Sequence, residues 1–361
     1  ETDSDDERMK NSYAKRYKPK SYGHVGLKNI GCICYMNSIM QQMYMVPTFR
    51  YAIMGSDDKK DKETCINDSI DDDNLLHQLQ KMYTYLTFSE NEDYNPKHFC
   101  YSFKDFDGRQ TNPIVQQDSQ EFYNNFCDKI ENALNKTKDQ YIVNDVFTGR
   151  TCSSVICENC KNISNKFEDF YNLTLEVKNI NNLNDSLQKL IISEKIDDFK
   201  CSNCNKNVTI SKRTSLCNLP NVLVVHLKRF NMNYEIERTE KINSRFEFPK
   251  TLNLKPFCVE ELANQMNDNK EYETEDIYEK KPEYYNYVLK GINIHMGSAD
   301  GGHYFSLINV NREGHDNDLD LNNEEKNENN WLKFNDSHVT TFDTKDIPNE
   351  CYGGANKNST F

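Results

Sequence analysis

The sequence is short of several things, and each shortage narrows its reading. It has one tryptophan in 361 residues, and nowhere does it approach 18 uninterrupted apolar residues, so no segment reads as a membrane-spanning helix. The first twenty residues are charged throughout, which leaves no apolar core for a signal peptide. Positive charge is also scarce: 44 Lys and Arg face 57 Asp and Glu, a formal net charge of −13. Such a surface repels phosphate backbones, which argues against nucleic acid and favours a basic partner. A closed disulfide framework is missing as well, because the 13 cysteines are odd in number and irregularly spaced. Thiols of that kind belong to a reducing compartment, so cytosol or nucleus is expected.

Hydrophobic residues make up 36% of the chain, with 21 Tyr and 19 Phe, a composition that builds a core broken by polar excursions. The length exceeds what one core usually fills, which predicts one large domain with subdomains, or two domains. Residues 1–22 read as a flexible lead-in. A helix is expected to begin at Cys34, another over LLHQLQKMYTYL, and an amphipathic one over 115–134, where apolar residues recur at nearly every fourth position. Beyond 145 the texture turns to strand-like runs such as SSVIC, FYNLTLEV and VLVVHLKRF, giving an α+β arrangement. The stretch 56–74 is charged and core-poor and reads as a surface loop between helices, while 259–283 and 311–330, acidic and without core residues, read as disordered or mobile insertions.

Two pairs, Cys157/Cys160 and Cys201/Cys204, each place two thiols within one tight turn, and together they supply the four sulfurs of a tetrahedral structural zinc. The pairs lie 41 positions apart, longer than the about 15 to 20 residues of a compact zinc module, so strands are expected to leave each knuckle and pair across the gap. A closed shell of four cysteines leaves no open position, which makes its role architectural.

Catalytic chemistry is sought elsewhere. In GLKNIGCICYMNS (26–38) a glycine-bearing loop feeds a helix whose N-terminal dipole favours a thiolate at Cys34. A base is available in GINIHMGSADGGHYFSLI (291–308), where Gly301 and Gly302 expose His303 at the start of an apolar strand; His77 and His98 lack such flanks. Further on, WLKFNDSHV can hairpin back onto that strand, and either Asn335 or Asp336 can orient the imidazole. The order Cys, His, Asn/Asp is that of papain-like cysteine proteases.

With these motifs in place, the sequence from about Val25 to about Gly354 resembles a ubiquitin-specific protease catalytic domain. GLKNIGCICYMNS matches the family's Cys box, with Cys34 at the nucleophile and Asn29 at the oxyanion-stabilising position; QQDSQEF, LPNVLVVHLKRF and YVLKGINIHMGSADGGHY match later boxes, and WLKFND places Asn335 third in the triad. The resemblance implies a papain-like, right-hand architecture within 23–354. It has a helical thumb (about 23–140), zinc-ribbon fingers (about 145–230) and a β-rich palm (about 231–354) carrying insertions 259–283 and 311–330. It further implies hydrolysis after the last glycine of ubiquitin by Cys34, His303 and Asn335, with Asp336 assisting, in a monomeric domain of a larger protein acting on ubiquitin and ubiquitinated proteins. Asp118 and Glu121 would accept the arginines of ubiquitin's tail, while Gln117, His295 and Tyr304 line the same channel. The alternative is a catalytically weak ubiquitin-binding scaffold of the same fold. Three departures stand out: Cys32 and Ile33 precede the nucleophile where the family usually has a threonine; the third triad residue is Asn rather than Asp; and residues 355–361 end before the family's final palm strand.

Overall fold

A computed structural model of the chain describes residues 19–56, 74–104, 107–233, 237–265, 280–299, 301–312 and 330–354. The stretches 57–73, 266–279 and 313–329, most of the lead-in and residues 355–361 lie outside the described residues. The chain divides into two compact units, Glu1–Val143 with Lys290–Asp346, and Asn144–Leu289 with Ile347–Phe361. Helices dominate the early chain and strands the later part, so the α+β reading holds.

The first unit is built on aromatic packing. The helices Cys34–Tyr44, Pro47–Gly55, Leu75–Phe88, Lys97–Ser102 and Ser119–Leu134 carry their apolar residues at helical intervals. Phe49, Phe99, Phe122 and Phe126 meet at ring-centroid distances of 6.1 to 6.4 Å, mostly edge to face, the arrangement that aromatic quadrupoles prefer. The Ser119–Leu134 helix starts four residues later than its periodicity suggested. Asp118 stops it: its Oδ1 accepts from the backbone N–H groups of Gln120 (2.7 Å) and Glu121 (3.3 Å), an N-cap that holds residue 118 in extended backbone. From Pro19 the chain is already tied down, since Lys20 donates its backbone N–H to the Glu90 carbonyl at 2.9 Å.

Against these helices lies a four-stranded antiparallel sheet in the order Gly291–Gly297, Gly302–Asn309, Trp331–Asn335, His338–Thr341. Its strands follow one another in the chain, so every connection is a hairpin. The strand carrying His303 is central, and the expected hairpin from the WLKFN strand pairs with it from Ser306↔Phe334 to Asn309↔Trp331.

The second unit holds a four-stranded antiparallel sheet in the order Ile163–Phe170, Gly149–Cys157, Asn207–Asn218, Glu194–Lys200. A separate core gathers Leu173, Leu175, Val177, Leu187, Leu216, Phe246 and Phe257. The supposedly core-poor stretch from 259 opens instead with the helix Val259–Gln265. Val259 is buried beside Cys152 and Cys217, and Leu262 is buried too. Composition averaged over 259–283 hid two apolar residues three apart, enough to seat one helical face.

Phe126 is fully buried at the centre of the aromatic group. Phe126→Ala is expected to destabilise the chain by about 3–5 kcal/mol, read from urea denaturation monitored by circular dichroism; a loss below about 1 kcal/mol would contradict this packing role.

Candidate functional site

The predicted nucleophile, base and orienting residue come together in the first unit. Cys34 is the first residue of its helix and is 3% exposed. No side chain caps that helix, so its leading N–H groups and the positive end of its dipole are left to act on the thiol. His303 stands at the start of its strand, with the Cys34 thiol close enough to act on its ring. On the other side His303 Nε2 lies 2.6 Å from Asn335 Oδ1. An amide oxygen only accepts, so Nε2 carries the hydrogen, and Nδ1 is the nitrogen left to receive the thiol proton.

These contacts set the histidine's charge. The Cys34 thiol raises its pKa most, burial opposes, and the bond to Asn335 and the Asp336 charge raise it further, to about 9. The Asp336 carboxylate is 3.8 Å from Nε2 and helps only through space.

Asp336 does its work on the loop. Its Oδ2 accepts from Asn29 Nδ2 at 3.1 Å and its Oδ1 from Asn37 Nδ2 at 2.8 Å, while its backbone carbonyl accepts from Leu27 N at 2.9 Å. It holds a left-handed backbone (φ 51°) to turn between Asn335 and His338. Asn29 in turn folds the loop, its Oδ1 accepting from the N–H groups of Gly31 (3.1 Å) and Ile33 (3.2 Å). One amide hydrogen of Asn29 is thus committed to Asp336 and one remains. Gly26 permits the approach, since a Cβ there would collide with the Ser337 backbone. Asn37, which is 2% exposed, escaped the sequence reading. Its signal was its place three residues after Cys34, on the same helical face.

Of the residues expected along a substrate channel, His295 and Tyr304 stand opposite each other in adjacent strands with ring centroids 4.5 Å apart. The Tyr304 hydroxyl is pushed up to about 12 by burial and then by the Asp118 charge, with Ser119 acting on it too, which puts it at the head of the Asp118-capped helix. Glu121 is exposed on that helix's first turn. The contact with the histidine strand comes from Gln116, one residue before the predicted Gln117: its Oε1 accepts from Gly302 N and its Nε2 donates to Gly302 O, both at 3.1 Å. A cavity of about 480 Å³ opens beside the triad, lined by Lys28, Asn29, Asp93, His303, Asn335 and His338.

The family model described as "Ubiquitin carboxyl-terminal hydrolase" matches residues 25–358. The chain belongs to the ubiquitin carboxyl-terminal hydrolase family. Human ubiquitin carboxyl-terminal hydrolase 34 is 32% identical over 345 residues, which cover 93% of this chain and 9% of that protein. Human ubiquitin carboxyl-terminal hydrolase 9Y is 32% identical over 381 residues (92% of this chain, 14% of that protein), and the Drosophila melanogaster hydrolase puf is 30% identical over 365 (94% and 9%). The chain therefore spans about a tenth of the length of these relatives. The resemblance read from the motifs is borne out, and the mixed helix and sheet content fits the papain-like fold of ubiquitin carboxyl-terminal hydrolases.

The second unit carries the four-cysteine cluster. The sulfurs of Cys157, Cys160, Cys201 and Cys204 all lie within 4.8 Å of one another. Cys160 and Cys201 are 3.8 Å apart, close to the edge of a tetrahedron with metal–sulfur bonds of about 2.3 Å. The knuckles repeat one another. Cys157 N donates to Asn162 O and Cys201 N to Lys206 O, each at 3.0 Å, and Lys161 and Asn205 take the same left-handed conformation. Asn203 Nδ2 donates to Cys160 Sγ and Asn159 Nδ2 to Cys204 Sγ, at 3.6 and 3.7 Å; such donors favour thiolates, and the Cys160 thiol is drawn down to about 6, first by Asn203. The donor set fits a metal ion. The strands leaving the knuckles pair as expected, Cys157 meeting Ile210 in register.

Because the Cys34 thiol is the first cause of His303's raised pKa, Cys34→Ala should move its NMR titration midpoint from about 9 down toward the ordinary value of about 6.5. Asn335→Ala should lower it less. A midpoint unchanged in Cys34→Ala would contradict the geometry.

Proposed function

We propose that the chain is a thiol protease domain that hydrolyses the peptide or isopeptide bond after the C-terminal glycine of ubiquitin. The observation that carries the reading is a Cys34 thiol acting on a His303 ring that Asn335 holds by a hydrogen bond, inside a chain whose family is shown over residues 25–358.

In this mechanism His303 Nδ1 takes the Cys34 proton while Nε2–H stays on Asn335 Oδ1, which fixes the tautomer and the ring plane. The thiolate attacks the glycine carbonyl carbon, and the carbonyl π electrons move to oxygen. The uncommitted amide hydrogen of Asn29 and the N–H groups at the head of the Cys34 helix stabilise that oxyanion. Collapse breaks the carbon–nitrogen bond, and His303 delivers its proton to the leaving amine, leaving a thioester on Cys34. Water, giving a proton to the same Nδ1, adds to the thioester carbon and expels the thiolate, which restores the starting state. Asp336 acts as a positioning residue, since its carboxylate holds Asn29 and Asn37. Protonation of the leaving amine requires the imidazolium, so turnover is expected to fall as pH rises through about 9.

The tail of ubiquitin runs past Gln117, Asp118, Glu121, His295 and Tyr304. Asp118 uses Oδ1 to cap its helix and offers Oδ2, with Glu121 beside it, to the tail's arginines. The four-cysteine cluster holds a structural zinc, the metal that four thiolates at tetrahedral spacing select. Substrates are ubiquitinated proteins met in the cytosol or nucleus, where the thiols stay reduced.

A ubiquitin probe with a C-terminal alkyne is expected to form a covalent adduct with the wild type and with Cys32→Ala, but not with Cys34→Ala. Tight ubiquitin binding with no adduct on the wild type would favour the scaffold reading instead. Elemental analysis is expected to find about one zinc per chain, lost together with thermal stability in Cys160→Ser. A different metal, or zinc retained in that variant, would refute the assignment.

A further inference from the structure

Cys34 and His303 sit on separate elements, and no stretch of backbone sets the distance between thiol and imidazole. The helix rises about 1.5 Å per residue, so a slip of one residue along its axis would open the contact. Interdigitated apolar side chains limit such sliding, but flexible ones such as the buried Met36, Met40 and Met43 of this helix can repack after a small shift. Hydrogen bonds resist it strongly, being lost within about half an ångström, and most strongly where the freed groups stay buried.

We propose that Ser306, supported by Asn293 and Gln42, is a positioning residue that fixes the height of the Cys34 helix on the His303 strand. The inference rests on the thiol protease reading above and names what aligns its reacting pair. Ser306 is three residues beyond His303, fully buried, and donates its hydroxyl to the Ser38 carbonyl at 2.7 Å, one helical turn beyond Cys34. Asn293 stands directly opposite Ser306 in the neighbouring strand. Its Nδ2 donates to Ser38 Oγ at 3.3 Å, and its Oδ1 is a second, longer acceptor for the Ser306 hydroxyl at 3.0 Å.

A second tie sits one turn further along the helix. Gln42 Nε2 donates to the backbone carbonyls of Ile292 (3.3 Å) and Leu307 (3.4 Å), one on each strand of the same pair. Its Oε1 accepts from Arg312 Nη2 at 3.4 Å, and Arg312 is itself held on the Lys290 carbonyl at 2.6 Å. Gly291 makes the close approach possible, because a Cβ there would collide with the Gln42 amide. Two ties a turn apart fix rotation as well as translation of the helix, and both anchor on backbone or on groups that are themselves anchored.

The test uses the whole chain. Two readouts are compared for wild type, Ser306→Ala, Ser306→Thr and Gln42→Leu: kcat and KM on a ubiquitin C-terminal aminocoumarin amide, and the NMR titration midpoint of His303, which the aligned Cys34 thiol raises to about 9. Ser306→Ala is expected to lower kcat about tenfold with KM within about twofold, and to move the midpoint down toward the ordinary value of about 6.5. Ser306→Thr keeps the hydroxyl and is expected to restore both. Gln42→Leu is expected to act in the same direction and carries the test should Ser306→Ala fail to fold by circular dichroism. The proposal is overturned if Ser306→Ala and Gln42→Leu match the wild type in kcat and midpoint, or if only KM changes. A wild type that never hydrolyses the ubiquitin amide would sink the protease reading, and the His303 midpoints would still decide the alignment.

Discussion

The site depends on one carboxylate. Asp336 spends both oxygens on amide donors, one from the loop before Cys34 and one from the Cys34 helix, and its own peptide carbonyl takes a third bond from Leu27. One stretch, from Leu27 to Asn37, is thereby tied at three points to a left-handed turn about 300 residues later that also ends the Asn335 strand. A charged acceptor makes stronger hydrogen bonds than a neutral one, and here it acts largely out of solvent. The arrangement explains how a neutral Asn can serve as the orienting partner of His303: the negative charge sits next door and does structural work.

The same economy runs through the rest of the unit. Asn29 accepts two backbone bonds and donates a third, Asp118 caps a helix while presenting a second oxygen, and Gln116 answers both polar atoms of the Gly302 peptide. Each is a short side chain with few rotatable bonds, held at both ends. Groups that are to meet a substrate lose little further freedom when it arrives, which is the physical content of preorganisation.

Much of this was legible in the sequence, and for identifiable reasons. Cys34, His303 and Asn335 were each marked by an abrupt local change: glycines opening onto a helix, glycines opening onto a strand, and a polar pair ending an aromatic strand. The knuckle cysteines were marked by spacing alone. What stayed hidden was polar and tertiary. Asn37 and Gln116 lie in segments whose periodicity explains them as helix, and their partners, Asp336 and Gly302, are far away in the chain. The start of the Ser119–Leu134 helix was misjudged because apolar spacing continues through Val115, whereas the cap at Asp118 decides the boundary. The helix at Val259–Gln265 was missed because two buried residues cannot outweigh an acidic composition averaged over a longer window.

One consequence follows from how the His303 and Asn335 strands are joined. Their hairpin is closed at its base by ladder bonds, by Val310 N donating to Asn330 O at 2.9 Å, and by Arg312 held on the Asn309 and Lys290 carbonyls. The register of the His303 strand against the Asn335 strand is therefore carried by that ladder and its closing bonds, so the 2.6 Å contact between imidazole and amide is held in place from the far end of the same strand pair.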